Sequence, residues 1–147
     1  MSRPDRLATL ERLAAFEATQ AARLVAERQR GVVAEEERLR QLEGYLHDYA
    51  RRDTTPGVTT VAALTATRRF LDRLREAAGR QREAVRQARE QAEAAAMRFR
   101  AARARREALA RLRERAAAAA AGRRAQREQR RLDELATTRH GRDPQAV

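Results

Sequence analysis

The stretch LRQLEGYLHDYARRDTTPGVTTVAALTATRRFLDRL, residues 39–74, decides the fold. Before its break, Leu39, Leu42, Leu46 and Tyr49 recur at steps of three and four, the spacing of one face of an α-helix. After it, Leu64, Thr67, Leu71 and Leu74 repeat the same steps. Between them, Asp53-Thr54-Thr55-Pro56-Gly57 is the one strong breaker in this part of the chain. A helix that stops, turns and resumes with the same period predicts two helices that bury their apolar rows against each other.

Followed outward, the first row runs back through Val32, Val25, Ala21, Ala18 and Ala14 to Leu7, with Glu11, Arg28 and Glu35 as its polar exceptions. The second runs on through Ala78, Val85, Ala88, Ala92, Ala95 and Phe99 to Ala102, with Thr67 and Gln81 as exceptions. The predicted fold class is all-α: two long helices forming an antiparallel coiled-coil hairpin in one domain, residues 1–147. The first helix is expected over about 4–52, the loop over 53–60, the second helix over about 61–138, and a frayed tail over 139–147. Ser2, Pro4 and Asp5 form a helix start, and Thr59 or Thr60 can cap the second helix. Counting outward from the loop pairs Tyr49 with Leu64, Leu42 with Leu71 and Leu39 with Leu74. The second helix is the longer one, so beyond about Arg106 it overhangs without a partner from the first.

Composition agrees with a thin seam rather than a thick core. Of the 147 residues 37% are charged and 3% aromatic, and mean hydropathy is −0.83. There is no cysteine, which removes disulfides and Cys-based metal sites. No apolar run reaches the length of a membrane span, and Met1–Asp5 lacks the apolar core of a signal peptide. The expectation is a cytoplasmic protein without membrane insertion.

Catalytic chemistry has few candidates. Lysine and cysteine are absent, Ser2 is the only serine, and His47 and His140 lie on different segments without a ligand pattern. The glycines are isolated, so no phosphate-cradling loop forms. Glu35-Glu36-Glu37 reads as a solvated charge run. The chain is expected to be non-enzymatic, with no cofactor and no metal.

The net charge of +12 is uneven. Asp5 to Arg52 holds nine arginines against nine acids, whereas Arg98 to Arg131 holds thirteen against three. Every basic residue is arginine, which makes bidentate contacts that lysine cannot. Phosphate binding would favour the Arg98–Arg131 segment. Only Phe99 there can stack, and no readout motif is present, so a basic coiled-coil nucleic-acid binder is the lesser alternative. Charge is read as surrounding the helix rather than facing an apolar side, which argues against membrane-surface binding.

Several blocks carry a more specific signal: LATLERLA at 7–14, AARLVAERQRG at 21–31, AEEERLRQLEGYLHDY at 34–49, GVT at 57–59, FLDRLREA at 70–77 and QRRLDELA at 129–136. Over nearly the whole chain they resemble the FliJ family of flagellar export proteins. The resemblance implies an antiparallel coiled coil similar to the central shaft of rotary ATPases. It implies insertion of the two termini into the flagellar export ATPase hexamer, with promotion of ring assembly. It further implies contact of the opposite end with the linker of the membrane export-gate protein, handling of escort chaperones, and a location peripheral to the inner membrane at the flagellar base. An equivalent stalk of a virulence-type injectisome is the alternative within this architecture.

Carried over by position, the gate-binding patch falls on Arg38, Leu42, Tyr45 and Tyr49 and on Phe70, Leu74, Ala77 and Gln81. Each set steps by four, three, four and so forms one helical stripe. Leu42, Tyr49 and Leu74 also belong to the seam rows, which leaves Tyr45 and Phe70 as the better exposed anchors. Arg38 and Gln81 stand where the family has Gln and His. At the terminal end, the ring-binding residues are expected to be Leu7, Leu10, Arg123, Arg124, Arg127, Arg131, Leu132 and Leu135.

Overall fold

The computed structural model describes residues 2–53 and 60–141. Two helices account for them, α1 (Arg3–Asp53) and α2 (Val61–Gly141). Asp53, expected in the loop, ends α1, and α2 continues through Arg139, His140 and Gly141. The expected loop residues 54–59 and tail residues 142–147 lie outside the described residues.

Both helix starts follow from their caps. The carbonyl of Ser2 accepts the amide of Arg6 at 3.1 Å, and the Asp5 carboxylate accepts the backbone amide of Ser2 at 3.2 Å and its hydroxyl. Thr60 caps α2: its hydroxyl accepts the amide of Ala63 at 3.1 Å and its carbonyl that of Leu64 at 3.0 Å. Thr67, a polar exception in the seam row, donates its hydroxyl to the carbonyl of Ala63 at 3.0 Å, so its burial leaves no donor unmet.

The helices pack against each other as an all-α hairpin, and the residues divide into two compact units. One, here the zipped unit, is Glu17–Ala102; the other, the terminal unit, joins Met1–Phe16 to Arg103–Val147. In the zipped unit Glu43 pairs with Arg82 and Glu36 with Arg89, so falling numbers on α1 meet rising numbers on α2 and the pairing is antiparallel. Its buried residues are Ala18, Leu71, Ala78, Val85, Ala95 and Ala102, of which Ala78 is 0% exposed. All belong to the two predicted rows, and most are alanine. Small side chains let two backbones approach closely, but each contributes little apolar area, so the seam gains stability by its length.

The register differs from the one that counting outward from the loop gives. Tyr49 sets its ring against Phe70 rather than Leu64, with centroids 4.8 Å apart and planes at 60°, and Leu64 stays 38% exposed. The cause is the tilt of side chains towards the N-terminus of their own helix. On α1 that tilt points away from the loop, and on α2 towards it. Side chains that touch therefore come from an α2 residue farther along the chain, and the Glu43–Arg82 and Glu36–Arg89 pairs shift the same way.

Candidate functional site

Among the eight patch residues of the zipped unit, two groups of contacts stand out. The first is aromatic. Tyr45 is 55% exposed and Phe70 44%, while Tyr49, Leu42, Leu74 and Ala77 are half-buried. The edge of one ring in the Tyr49–Phe70 pair meets the face of the other, an arrangement that aromatic quadrupoles favour. The guanidinium of Arg52 lies 5.2 Å from the Tyr49 ring centroid, a cation–π contact. Arg52 is absent from the predicted set, although its position three residues after Tyr49 puts it on the same helix face. Three aromatic rings, of which Tyr45 and Tyr49 each carry a hydroxyl, partly open to solvent, make a surface suited to a protein partner.

The second cluster centres on Glu35. The Gln81 side-chain amide donates to the Glu35 backbone carbonyl at 2.9 Å and to its carboxylate at 2.5 Å. Arg38 pairs with the same carboxylate at 3.0 Å. Arg38 and Gln81 are thus brought together by a third residue, and Gln81 spends its amide across the seam. One polar exception from each row, Glu35 and Gln81, meets the other at this layer, which satisfies a half-buried carboxylate and disfavours slippage of one helix along the other.

Elsewhere in the zipped unit, Arg86 on α2 holds Glu83 and Glu90, one turn away on either side. Hydrogen bonding from Arg86 lowers the pKa of the Glu83 carboxyl, and Glu83 and Glu90 together raise that of the guanidinium.

The terminal unit holds the other predicted set. Leu7 is half-buried, but Leu10 is 47% exposed, Leu132 52% and Leu135 57%. Arg123, Arg124, Arg127 and Arg131 are all exposed. Where the start of α1 lies on α2, a cleft of about 630 Å³ opens. Leu7, Ala8, Leu112, Ala116, Ala119 and Ala120 contribute its apolar part, Arg3, Arg113, Arg115, Arg123 and Arg124 its charge, and no acidic residue lines it. Across the same helix pair, Arg113 donates to the Glu11 carboxylate at 2.8 Å.

The charge on α2 past this cleft is not spread evenly around the helix. Arg127 stands three or four residues from each of Arg123, Arg124, Arg130 and Arg131, so the five share a face within an arc of about 120°. Leu132, Leu135 and Ala121 lie off that face. Other charges surround the helix, as expected: Glu128, Asp133 and Arg139 lie outside this arc and Glu134 within it, so the stripe is a local enrichment that a count over the whole Arg98–Arg131 segment does not show. Sequence reasoning also missed the cross-helix pairs Glu11–Arg113, Glu36–Arg89 and Glu43–Arg82. The signal that could have found them is the sign of the charged residues in and beside the two rows, glutamate on the first and arginine on the second.

No helix among the described residues is long and apolar enough to cross a membrane. The family model described as Flagellar FliJ protein matches residues 2–145. No individually curated protein matches the chain at a significant level.

Proposed function

Because the chain belongs to the flagellar FliJ family, a non-catalytic, flagellar type III export-related stalk protein, we propose that it couples an export ATPase to the membrane export gate. In this reading the terminal unit enters the central hole of the ATPase hexamer and promotes ring assembly. The aromatic cluster of the zipped unit binds the linker of the export-gate protein, and escort chaperones for flagellar substrates are handled on the same stalk. The protein acts in the cytoplasm, peripheral to the inner membrane at the flagellar base.

The observation that carries the proposal is the family match over 2–145. Three further features support it. Tyr45 and Phe70 are exposed at the positions where the family's gate contact falls. The terminal unit is arginine-rich, and arginine binds carboxylates in a bidentate fork. Alanine dominates Ala116–Ala121, which keeps the helix narrow without weakening it.

The test uses the full chain. Tyr45→Ala with Phe70→Ala is expected to lower binding to the gate linker and to reduce motility while far-UV circular dichroism stays unchanged; wild-type export by that variant would remove the patch assignment. Deletion from Arg123 onward is expected to weaken stimulation of the ATPase, and unaltered stimulation would remove insertion by the terminal end.

A further inference from the structure

Three cross-helix ion pairs among the described residues share one polarity. Glu43–Arg82 and Glu36–Arg89 in the zipped unit, and Glu11–Arg113 in the terminal unit, each join a glutamate of α1 to an arginine of α2. The α2 face that looks towards α1 therefore asks for carboxylates, and α1 supplies them for as long as it runs. In the terminal unit α1 starts at Arg3, which lies with Arg123 and Arg124 on the cleft described above. Beyond that point α2 continues to Gly141.

What happens to the facing surface there is legible by register. Leu109, Ala116 and Ala120 are half-buried on the side of α2 that α1 covers. One heptad beyond Ala116 stands Arg123, and another heptad on, Arg130; one heptad beyond Ala120 stands Arg127. This row holds Arg113 opposite Glu11 where α1 covers it, and once α1 has ended its next positions are Arg123, Arg127 and Arg130, followed by Glu134. Arg124 and Arg131 flank the same face. Among the described residues, none of these five guanidinium groups takes part in an ion pair or a side-chain hydrogen bond.

We propose that this face, from the apolar cleft at Leu7, Leu112 and Ala116 to Arg131, is the docking surface for an acidic amphipathic helix of a partner protein. The partner helix takes up the seam where α1 stops. Its apolar side chain enters the cleft, and its glutamates or aspartates meet Arg123, Arg127 and Arg130 as Glu11 meets Arg113. Charge complementarity selects this occupant. A second copy of the chain would bring the same +12 charge, and the segment it could offer, QRRLDELA at 129–136, places arginines beside its acids. The inference deepens the ring-insertion reading by giving the chemistry of the contact, but it is tested on binding alone.

The probe is a synthetic helical peptide of about 20 residues with glutamate on one face and leucine along the other. Its binding to the full-length protein is followed by fluorescence anisotropy at physiological salt. Replacing Arg123, Arg127, Arg130 and Arg131 together by glutamine is expected to weaken binding roughly tenfold or more. Replacing Arg68, Arg69, Arg73 and Arg80, which removes the same charge from the zipped unit, is expected to change it by less than about twofold. Leu112→Ala tests the cleft and is expected to weaken binding several-fold, and circular dichroism verifies the helicity of every variant. Equal losses from the two arginine sets would overturn the proposal, because binding would then follow net charge alone. So would tighter binding of duplex DNA, or of vesicles rich in anionic lipid, than of the peptide under the same salt. If the peptide binds as expected while deletion from Arg123 leaves ATPase stimulation intact, the docking surface stands and ring insertion falls; the reverse pattern separates them the other way.

Discussion

Two stretches of α2 use nearly the same residue types to opposite ends. Between Leu71 and Ala102 every seventh and intervening seam position is alanine, leucine, valine, phenylalanine or a satisfied glutamine, and the arginines beside that row meet glutamates of α1. Between Ala121 and Gly141 every residue is exposed, and arginine occupies the first three positions that the heptad would assign to the seam, 123, 127 and 130, with Glu134 and Thr137 at the next two. In the first stretch arginine is a rim that orders two helices against each other. In the second it is the facing surface itself. The difference teaches that a basic coiled-coil segment is interpreted by what stands opposite each arginine, not by its total charge. It also means that the two stretches should respond differently to the same kind of change.

The largest contrast is expected from leucine deletion. Leu71 is 4% exposed in the zipped unit, whereas Leu132 is 52% exposed. Leu71→Ala removes apolar contacts and leaves a void that two helices close only in part, at a cost of about 2–4 kcal/mol. Leu132→Ala is expected to stay within about 0.5 kcal/mol. Urea titrations followed by circular dichroism check both, and equal destabilisation would mean that Leu132 is covered in solution. Ala78, fully enclosed, gives the converse test: Ala78→Leu forces the helices apart and is expected to lower stability by about 1–3 kcal/mol.

The fold was legible because it rests on one periodic signal. Of the residues in the first row, from Leu7 to Tyr49, Arg28 is the exposed one; it reaches Gln91 of α2 at 3.2 Å. In the second row Leu64 is the exposed member. Both breaks in the pattern are explained by neighbours that a single row does not contain. A long guanidinium can leave the seam and still bridge the helices. The start of α2 loses Tyr49 to Phe70 because the direction in which side chains lean, not distance from the loop, sets who touches whom. For the same reason the layer that joins Gln81, Glu35 and Arg38 could not be read beforehand. Each row announced a polar exception, but their meeting depends on register. Of the candidate surfaces, the exposed Tyr45 and Phe70 followed from helix spacing, because neither belongs to a seam row. The arginine stripe did not, since charge was counted by segment when its meaning lay in phase with the seam.

A smaller effect sharpens the same comparison at two glycines. A Cβ built on Gly79 in the zipped unit, or on Gly122 in the terminal unit, meets nothing within 4 Å, and neither glycine has a positive φ. Alanine therefore fits at both, and it lowers the backbone entropy of the unfolded chain. Gly79→Ala is expected to raise global stability by up to about 1 kcal/mol. Gly122→Ala lies where opening of the helix does not require the zipped unit to open, so its gain is expected in the amide protection of residues around 122 and not in the melting temperature. Hydrogen exchange on both variants decides this. A melting temperature that rises equally for the two would show that the exposed stretch of α2 unfolds together with the seam.

The smallest expected effect is electrostatic. Glu83 is held below its ordinary titration range, first by the hydrogen bond from Arg86 and also by that group's charge. A carboxyl with a lowered folded-state pKa contributes stability above its unfolded pKa and loses that contribution as pH falls through the folded value. Arg86→Ala is therefore expected to move the Glu83 titration upward, as read by carboxyl-carbon NMR. The melting temperature at neutral pH should barely change, because the pair is exposed and screened. The cross-helix pair Glu36–Arg89 differs in one respect: it ties two helices, whereas Arg86 ties positions within one. Arg89→Ala should thus lower the melting temperature slightly more than Arg86→Ala at low salt, and the gap should close as salt is raised. If Arg86→Ala proves the more damaging of the two at low salt, the glutamate-to-arginine polarity between the helices is incidental to their pairing, and a partner helix would gain nothing by reproducing it.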